Sequence, residues 1–107
     1  KTSINFDNNN PNDWIIFKMS KNIIPKQIHL QNRGNEYSIK TISIFIGNTN
    51  NQWYRLSPKQ IVCKKDALIL QKYNIYQNDK ISQNLIEREN LNLIKIELYD
   101  NYGATNK

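Results

Sequence analysis

Residues 93–103 constrain the fold of this chain more than any other stretch. Between residues 93 and 99 aliphatic side chains occupy every second position, and Lys95, Glu97 and Tyr99 occupy the positions between them. The alternation stops at an Asp-Asn-Tyr-Gly sequence. Because successive side chains of a β-strand point to opposite faces, this period of two predicts a strand with one buried and one solvated face, followed by a turn.

The same alternation recurs along the chain, and no stretch shows a sustained helical period. We expect a central strand at residues 14–19, because both of its faces are apolar. Within residues 37–46, the third expected strand, the apolar side chains change from odd-numbered to even-numbered positions, which predicts a β-bulge near Lys40. Residues 68–76, the sixth expected strand, are expected to bury Ile69, Tyr73 and Ile75. The six expected strands before residue 93 are residues 14–19, 24–31, 37–46, 52–56, 60–63 and 68–76.

These patterns predict an all-β fold, an antiparallel β-sandwich formed by residues 1–107 as a single domain. A chain of 107 residues has room for one core. Residues 1–13, which are rich in Asn and Asp and contain Pro11, are expected to be a loop that leads into the first strand. Residues 77–91 are polar and predict a long loop or a short helix. Residues 66–70 could begin a helical turn instead of a strand.

The chain is basic, with 15 Lys and Arg against 9 Asp and Glu and a net charge of +6. Such a charge favours an acidic partner, but the basic residues are scattered and the longest cluster is Lys64-Lys65. A solvated basic surface therefore explains most of the charge. Tyr and Lys interleave in residues 71–76, which keeps a nucleic-acid-binding β-barrel as an alternative.

A single cysteine, Cys63, cannot form an internal disulfide, and small secreted domains usually need such bonds. An intracellular, cytoplasmic location is therefore favoured. No apolar run approaches the roughly 20 residues that span a bilayer, and no leader precedes the first strand. Because the sequence begins at Lys1, we expect it to be a fragment of a larger protein.

Residues that could carry chemistry do not form a recognisable set, so the chain is not expected to be an enzyme. His29 is the only histidine, and a zinc site would need converging ligands. Lys64 and Lys65 could lower the pKa of Cys63, but no partner completes a nucleophilic pair, and a packed, inert thiol is expected. No metal or cofactor is expected. Calcium, bound by Asp7, Asp13 and Asp100, stays an alternative.

Several stretches together resemble the galactose-binding-like jelly-roll superfamily, which includes discoidin-type, DOC, SUN and PITH domains. Residues 12–19 and 24–30 resemble a strand that follows a polar turn and its partner strand. Residues 39–48, followed by the Trp-Tyr-Arg-Leu of residues 53–56, resemble the strand, turn and tryptophan that come next. Residues 93–103 resemble the penultimate strand and its Asn-Tyr-Gly turn.

This resemblance implies a jelly roll that recognises its target without catalysis, through loops at one end of the sandwich. Members of the superfamily usually close the sandwich with a further strand after the Asn-Tyr-Gly turn, so the last strand is expected to be missing here. Trp53-Tyr54-Arg55 combines residue types that dominate binding hot spots, with Trp53 itself expected in the core. The candidate binding residues are Asn32, Arg33, Asn35, Arg55, Asn101 and Tyr102.

Three hypotheses for function follow. The first is a non-catalytic protein-interaction module, a structural subunit or appended domain of a larger intracellular assembly of the ubiquitin-ligase, cytoskeletal or ciliary type. The second is a carbohydrate-binding module, which would require an exposed aromatic residue and would be disfavoured by a fully buried Trp53. The third is the basic nucleic-acid-binding β-barrel. The first is preferred because no catalytic set, leader or disulfide is found.

Overall fold

The alternating segments form strands, arranged as an antiparallel β-sandwich with one short helix. A computed structural model describes residues 13–32, 34, 36, 38–57, 60–66, 68–75 and 80–103. Within them the elements are β1 (Asp13–Lys18), β2 (Gln27–Leu30), β3 (Ile39–Gly47), β4 (Trp53–Arg55), β5 (Ile61–Val62), β6 (Gln71–Asn74), α1 (Gln83–Glu89) and β7 (Leu93–Asn101).

The larger of two sheets has five strands, with β1, β7, β3 and β4 in that order. The short strand β5 also pairs with β3, beside its first half, whereas β4 pairs with its second half. The two nine-residue strands β3 and β7 pair antiparallel along their whole length and form the centre of the sheet. The strand predicted from the alternation at residues 93–99 is thus confirmed as β7.

The bulge predicted near Lys40 is present. The register between β3 and β7 shifts twice, between Ile39 and Thr41 and between Thr41 and Ile42. After the shift, Ile42, Ile44 and Ile46 lie opposite the aliphatic residues of β7 on one face of the sheet. All three isoleucines are fully buried. The extra residue therefore turns the second half of β3 so that its aliphatic side chains reach the core.

The antiparallel pair β2–β6 forms the second layer of the sandwich, and α1 packs into the same core. Ile75, directly after β6, and Ile86 of α1 are buried in the same core as the isoleucines of β3. Ile28 and Leu30 of β2 pack against that core, as their alternation predicts. The buried apolar residues of the core are Ile42, Ile44, Ile46, Leu56, Cys63, Ile75, Ile81, Ile86, Leu91, Ile96 and Leu98.

Strand β1 lies at the edge of the larger sheet, so the prediction of a central strand is wrong. Within the described residues β1 pairs with β7 alone. Ile15 packs against the core, whereas Trp14 and Ile16, on the other face, are exposed. Apolar residues on both faces are typical of a central strand, but they also occur at an edge whose outer face stays exposed. The sequence pattern is the same in both cases.

The sixth predicted strand is shorter than expected. Only residues 71–74 form β6, and Leu68 and Ile69 before it are 92% and 49% exposed. The expected burial of Ile69 is therefore wrong, whereas Ile75 is buried and Tyr73 is half-buried. No strand of the described part pairs with residues 68–70, and a short apolar run does not by itself specify a pairing partner.

Part of the polar segment 77–91 forms the helix α1, the second of the two structures expected there. Ser82 is its N-cap, with its hydroxyl accepting a hydrogen bond from the backbone N–H of Leu85, and Asn90 ends it in the left-handed conformation at φ 54°. Ile81 and Ile86 anchor the helix in the core. Residues 77–79, like the loop expected at residues 1–12, lie outside the described residues; Asp13 begins β1.

Among the residues that the structure describes, no helix has the length and apolar character needed to cross a bilayer.

Candidate functional site

One face of the larger sheet carries the core, and the opposite face carries a different set of side chains. Strand register places Ile16, Lys95, Phe45 and Arg55 in one row across β1, β7, β3 and β4. A neighbouring row places Leu93 of β7 and Trp53 of β4 on either side of Gly47. We call the face that bears these two rows the open sheet face, because the second layer packs against the other side.

Aromatic rings and cations meet at the centre of the open sheet face. The Lys95 ammonium lies 4.5 Å from the centroid of the Trp53 ring and 5.2 Å from that of Phe45. The Arg55 guanidinium carbon lies 5.5 Å from the Phe45 centroid. These distances are in the range of cation–π attraction. We call these four residues the aromatic–cation cluster.

Polar contacts hold the cluster in place. Arg55 donates one hydrogen bond to the Ser43 hydroxyl at 2.9 Å and another to the Ser57 carbonyl at 2.8 Å. The Lys95 ammonium lies 3.9 Å from one carboxylate oxygen of Glu97, and the other carboxylate oxygen accepts a hydrogen bond from the Tyr99 hydroxyl at 2.9 Å. Burial raises the pKa of Tyr99, so this hydroxyl keeps its proton near neutral pH. The cluster is therefore preorganised.

Trp53 is half-buried, not in the core as the sequence suggested. Its indole N–H donates to the side-chain oxygen of Asn51 at 2.7 Å, and its ring lies against the backbone of Gly47. Since Gly47 has no side chain, the flat indole can lie close to the strand. Arg55, a predicted binding residue, belongs to the open sheet face and is exposed.

The other described binding candidates lie together at the far end of β3 and hold the fold. Asn32 is buried and its amide bonds the backbone of Ile39 and Lys64. Asn101 is buried, with its side-chain oxygen accepting from the N–H of Gly103. Tyr102 is half-buried and donates from its hydroxyl to a backbone carbonyl. Each of these contacts is with a backbone group of the chain itself.

Arg33 and Asn35, the remaining candidates, lie outside the described residues.

The two residues with nucleophilic or general-base chemistry occupy unlike environments. His29 is exposed, and its Nε2 lies 3.1 Å from the side-chain oxygen of Gln27. Cys63 is fully buried, and this burial raises the pKa of its thiol to about 11. A thiol with so high a pKa carries almost no thiolate at neutral pH. The expected packed, inert thiol agrees with this environment, despite the neighbouring Lys64 and Lys65.

Metal-binding chemistry has little support among the described residues. No three His, Cys, Asp or Glu side chains converge there into a group that could hold a metal ion. Asp100 has a buried carboxylate oxygen without a hydrogen-bond partner. Asp7 and the side chain of Asp13, named with Asp100 as calcium ligands, lie outside what the structure describes. Calcium binding by these three residues stays a hypothesis.

The interleaved Tyr and Lys at residues 71–76 do not form a stacking surface in the described part. Tyr73 is half-buried, packs against the core, and donates from its hydroxyl to the side chain of Gln71. Lys72 is exposed on the other side of β6. Tyr76 lies outside the described residues. The alternation that suggested nucleic-acid binding thus places the described aromatic inward.

Sequence reasoning identified Arg55 but missed the residues around it. Lys95 and Glu97 were assigned to the solvated face of β7, and Phe45 stands between two isoleucines of β3. Only the cross-strand register shows that these residues lie beside Arg55, and the sequence alone does not supply that register. The available clue in the sequence was Phe45 itself, an aromatic residue at an outward-facing position of β3.

Comparison with family models, with curated proteins and with solved structures finds no match to this chain.

Proposed function

We propose that this chain is a non-catalytic protein-interaction module. It acts as a structural subunit or appended domain of a larger intracellular assembly, of the ubiquitin-ligase type or the cytoskeletal or ciliary type. The aromatic–cation cluster carries this proposal. Trp, Tyr and Arg are the residues most enriched in binding hot spots, and here Trp53, Tyr99 and Arg55 occupy one face of a rigid sheet.

The preorganisation of the cluster supports binding by reducing its entropic cost. Arg and Trp side chains lose conformational freedom when a partner immobilises them. In this protein Arg55 is already held by Ser43 and Ser57, and Trp53 by Asn51. A partner therefore meets side chains whose positions are set before it arrives.

Charge indicates the chemistry of the partner. Arg55 and Lys95 bring two positive charges to the cluster and Glu97 one negative charge, and the whole chain carries +6. A protein surface that presents carboxylates next to apolar side chains would complement this face. We therefore propose an acidic protein surface as the partner.

The strand order supports the jelly roll that the resemblance implies. The chain crosses between the sheets four times, since β2 and β6 form the smaller sheet while β1, the consecutive strands β3, β4 and β5, and β7 form the larger one. Repeated crossing between two sheets is a feature of double-sheet jelly rolls. We propose on this basis that the sandwich is a galactose-binding-like jelly roll.

Carbohydrate binding is the second candidate, because Trp53 is not fully buried and Trp14 is exposed. An exposed indole can stack on a sugar ring. The Lys95 ammonium, however, already lies over the Trp53 ring, and a sugar would have to displace it from that face. A protein partner can bind around this contact without breaking it, which favours the first candidate.

The experiment reverses one charge in the cluster. Arg55→Glu removes one of the two cations beside Phe45 and places a carboxylate where an acidic partner would dock, whereas Arg88→Glu makes the same change at an exposed position on α1. A partner isolated from the cells that make this protein, then purified, should bind wild type and Arg88→Glu alike. Its dissociation constant for Arg55→Glu should rise roughly tenfold or more.

Two results would contradict the proposal. One is equal binding by wild type and Arg55→Glu, with circular dichroism showing both folded. The other is a titration with simple saccharides that shifts the NMR signals of the Trp14 or Trp53 indoles, which would establish the carbohydrate candidate instead.

A further inference from the structure

Within the described residues, the outer edge of β1 lacks the features by which sheet edges are usually protected. Edge strands are typically short, charged, bulged or interrupted by proline, because their unpaired backbone groups can pair with another chain. The opposite edge of this sheet follows that rule, with β4 of three residues and β5 of two. Strand β1 has six residues with four apolar ones in succession, and its charges lie at its two ends.

The exposed apolar side chains of β1 lie on both faces of the sheet. Trp14 and Ile16 are 61% and 43% exposed on the open sheet face, and Phe17 is 38% exposed on the core face. Burying these three side chains together requires a neighbour that continues the sheet, because a partner on one face would cover only part of the set.

We propose that β1 pairs antiparallel with β1 of a second copy of this chain. A twofold axis perpendicular to the sheet at Ile16 joins the two five-stranded sheets into one. Ile16 then lies opposite its own counterpart. Ile15 lies opposite Phe17 on the core face, and Trp14 lies opposite Lys18 on the open sheet face.

In this register the opposed side chains of residues 14–18 complement each other. It places each Lys18 ammonium near a Trp14 ring, the same pairing that Lys95 and Trp53 make within one chain. Centring the axis on Ile15 instead would put Asp13 opposite Phe17. Centring it on Lys18 would put like charges in direct opposition, which is destabilising in a sheet.

The self-complementarity of β1 favours a second copy over a strand of another protein. A foreign strand could satisfy the backbone, but a copy also supplies matching side chains from residue 14 to residue 18. The pairing is independent of the aromatic–cation cluster, which the dimer leaves uncovered.

Substituting the central residue tests the pairing. Ile16→Lys puts two ammonium groups opposite each other at the axis, at a side chain exposed enough for the monomer to fold. Val62→Lys is the matched control, since Val62 is 63% exposed on the short strand at the other edge. Sedimentation velocity should show a concentration-dependent dimer for wild type and Val62→Lys. For Ile16→Lys the dissociation constant should rise roughly tenfold or more.

A cysteine at the axis tests the register. Under mild oxidation Ile16→Cys should form a disulfide-linked dimer, because the residue meets its own counterpart, while the buried Cys63 stays unreacted. Trp14→Cys, which would face Lys18, should cross-link much more slowly. A wild type that stays monomeric at every concentration, an Ile16→Lys dimer as stable as the wild type, or equal cross-linking of both cysteine variants would each overturn the proposal.

Discussion

At the scale of single residues, the pKa of Cys63 shows that burial can outweigh the effect of neighbouring charges. Lys64 and Lys65 suggest a thiol with a lowered pKa, but the thiol points into the core while both lysines are exposed. Desolvation is the largest cause of the raised pKa, the nearby Asp100 adds to it, and a hydrogen bond with Tyr73 opposes it. Adjacency in sequence thus says little about what surrounds a strand residue.

The raised pKa of Cys63 predicts how stability depends on pH. Folding shifts the pKa from 9.0 to about 11, so the native thiol keeps its proton where the unfolded thiol ionises. The stability that the folded state gains from keeping this thiol protonated is fully present below pH 9 and is lost as the pH rises toward 11. Over that window wild type should lose roughly 2–3 kcal/mol more unfolding free energy than Cys63→Ala, as measured by urea denaturation. Identical pH dependence of the two proteins would contradict this.

At the scale of elements, the turn between β3 and β4 positions the aromatic–cation cluster. Asn48 is buried, and its side-chain oxygen accepts from the backbone N–H groups of Asn50 and Gln52. Its amide donates to the carbonyl of Glu89 at the end of α1. The turn is thereby fixed to the helix, and β4 can present Trp53 over Gly47.

Gly47→Ala should disturb this element. A Cβ at residue 47 would collide with the Gln52 carbonyl and with the Trp53 ring, so the strand pair has to shift. We expect a loss of about 1–3 kcal/mol of unfolding free energy and a change in tryptophan fluorescence as Trp53 moves from Lys95. Gly103→Ala, with positive φ but open space around it, controls for backbone strain and should leave the fluorescence unchanged. If Gly47→Ala unfolds with the same free energy as wild type, the close approach of residue 47 to Gln52 and Trp53 is refuted.

At the scale of the whole molecule, positive charge is only weakly compensated. The chain carries +6, and within the described residues the ion pairs are Arg88–Glu89 at 4.0 Å and Lys95–Glu97 at 3.9 Å. Pairs of this kind at the surface contribute little stability. The balance of electrostatic interactions in the folded state is therefore repulsive.

Added salt should consequently stabilise the protein, because it screens repulsion among the cations. The urea midpoint is expected to rise with sodium chloride concentration. Lys21→Glu changes an exposed lysine and lowers the net charge by two, so its midpoint should respond less to salt. A midpoint that falls as salt is added would show that attractive pairs dominate instead.

The sequence also predicted part of the candidate site. Arg55 was identified because a Trp-Tyr-Arg triplet combines the residue types found in binding hot spots, and it lies on the open sheet face. Asn32 and Asn101 were chosen as polar loop residues, yet both are buried where they satisfy backbone groups. A polar residue in a turn looks the same in sequence whether it binds a ligand or holds the turn.

By itself the sequence determined where most of the strands lie, the inward faces of β2, β3 and β7, and the bulge in β3, because side-chain alternation is a local property of the backbone. Tertiary structure decided that β1 lies at an edge and that Phe45, Lys95 and Arg55 share a row. Each of these depends on which strands become neighbours and in what register, and pairing between distant segments leaves no mark on the period of either one.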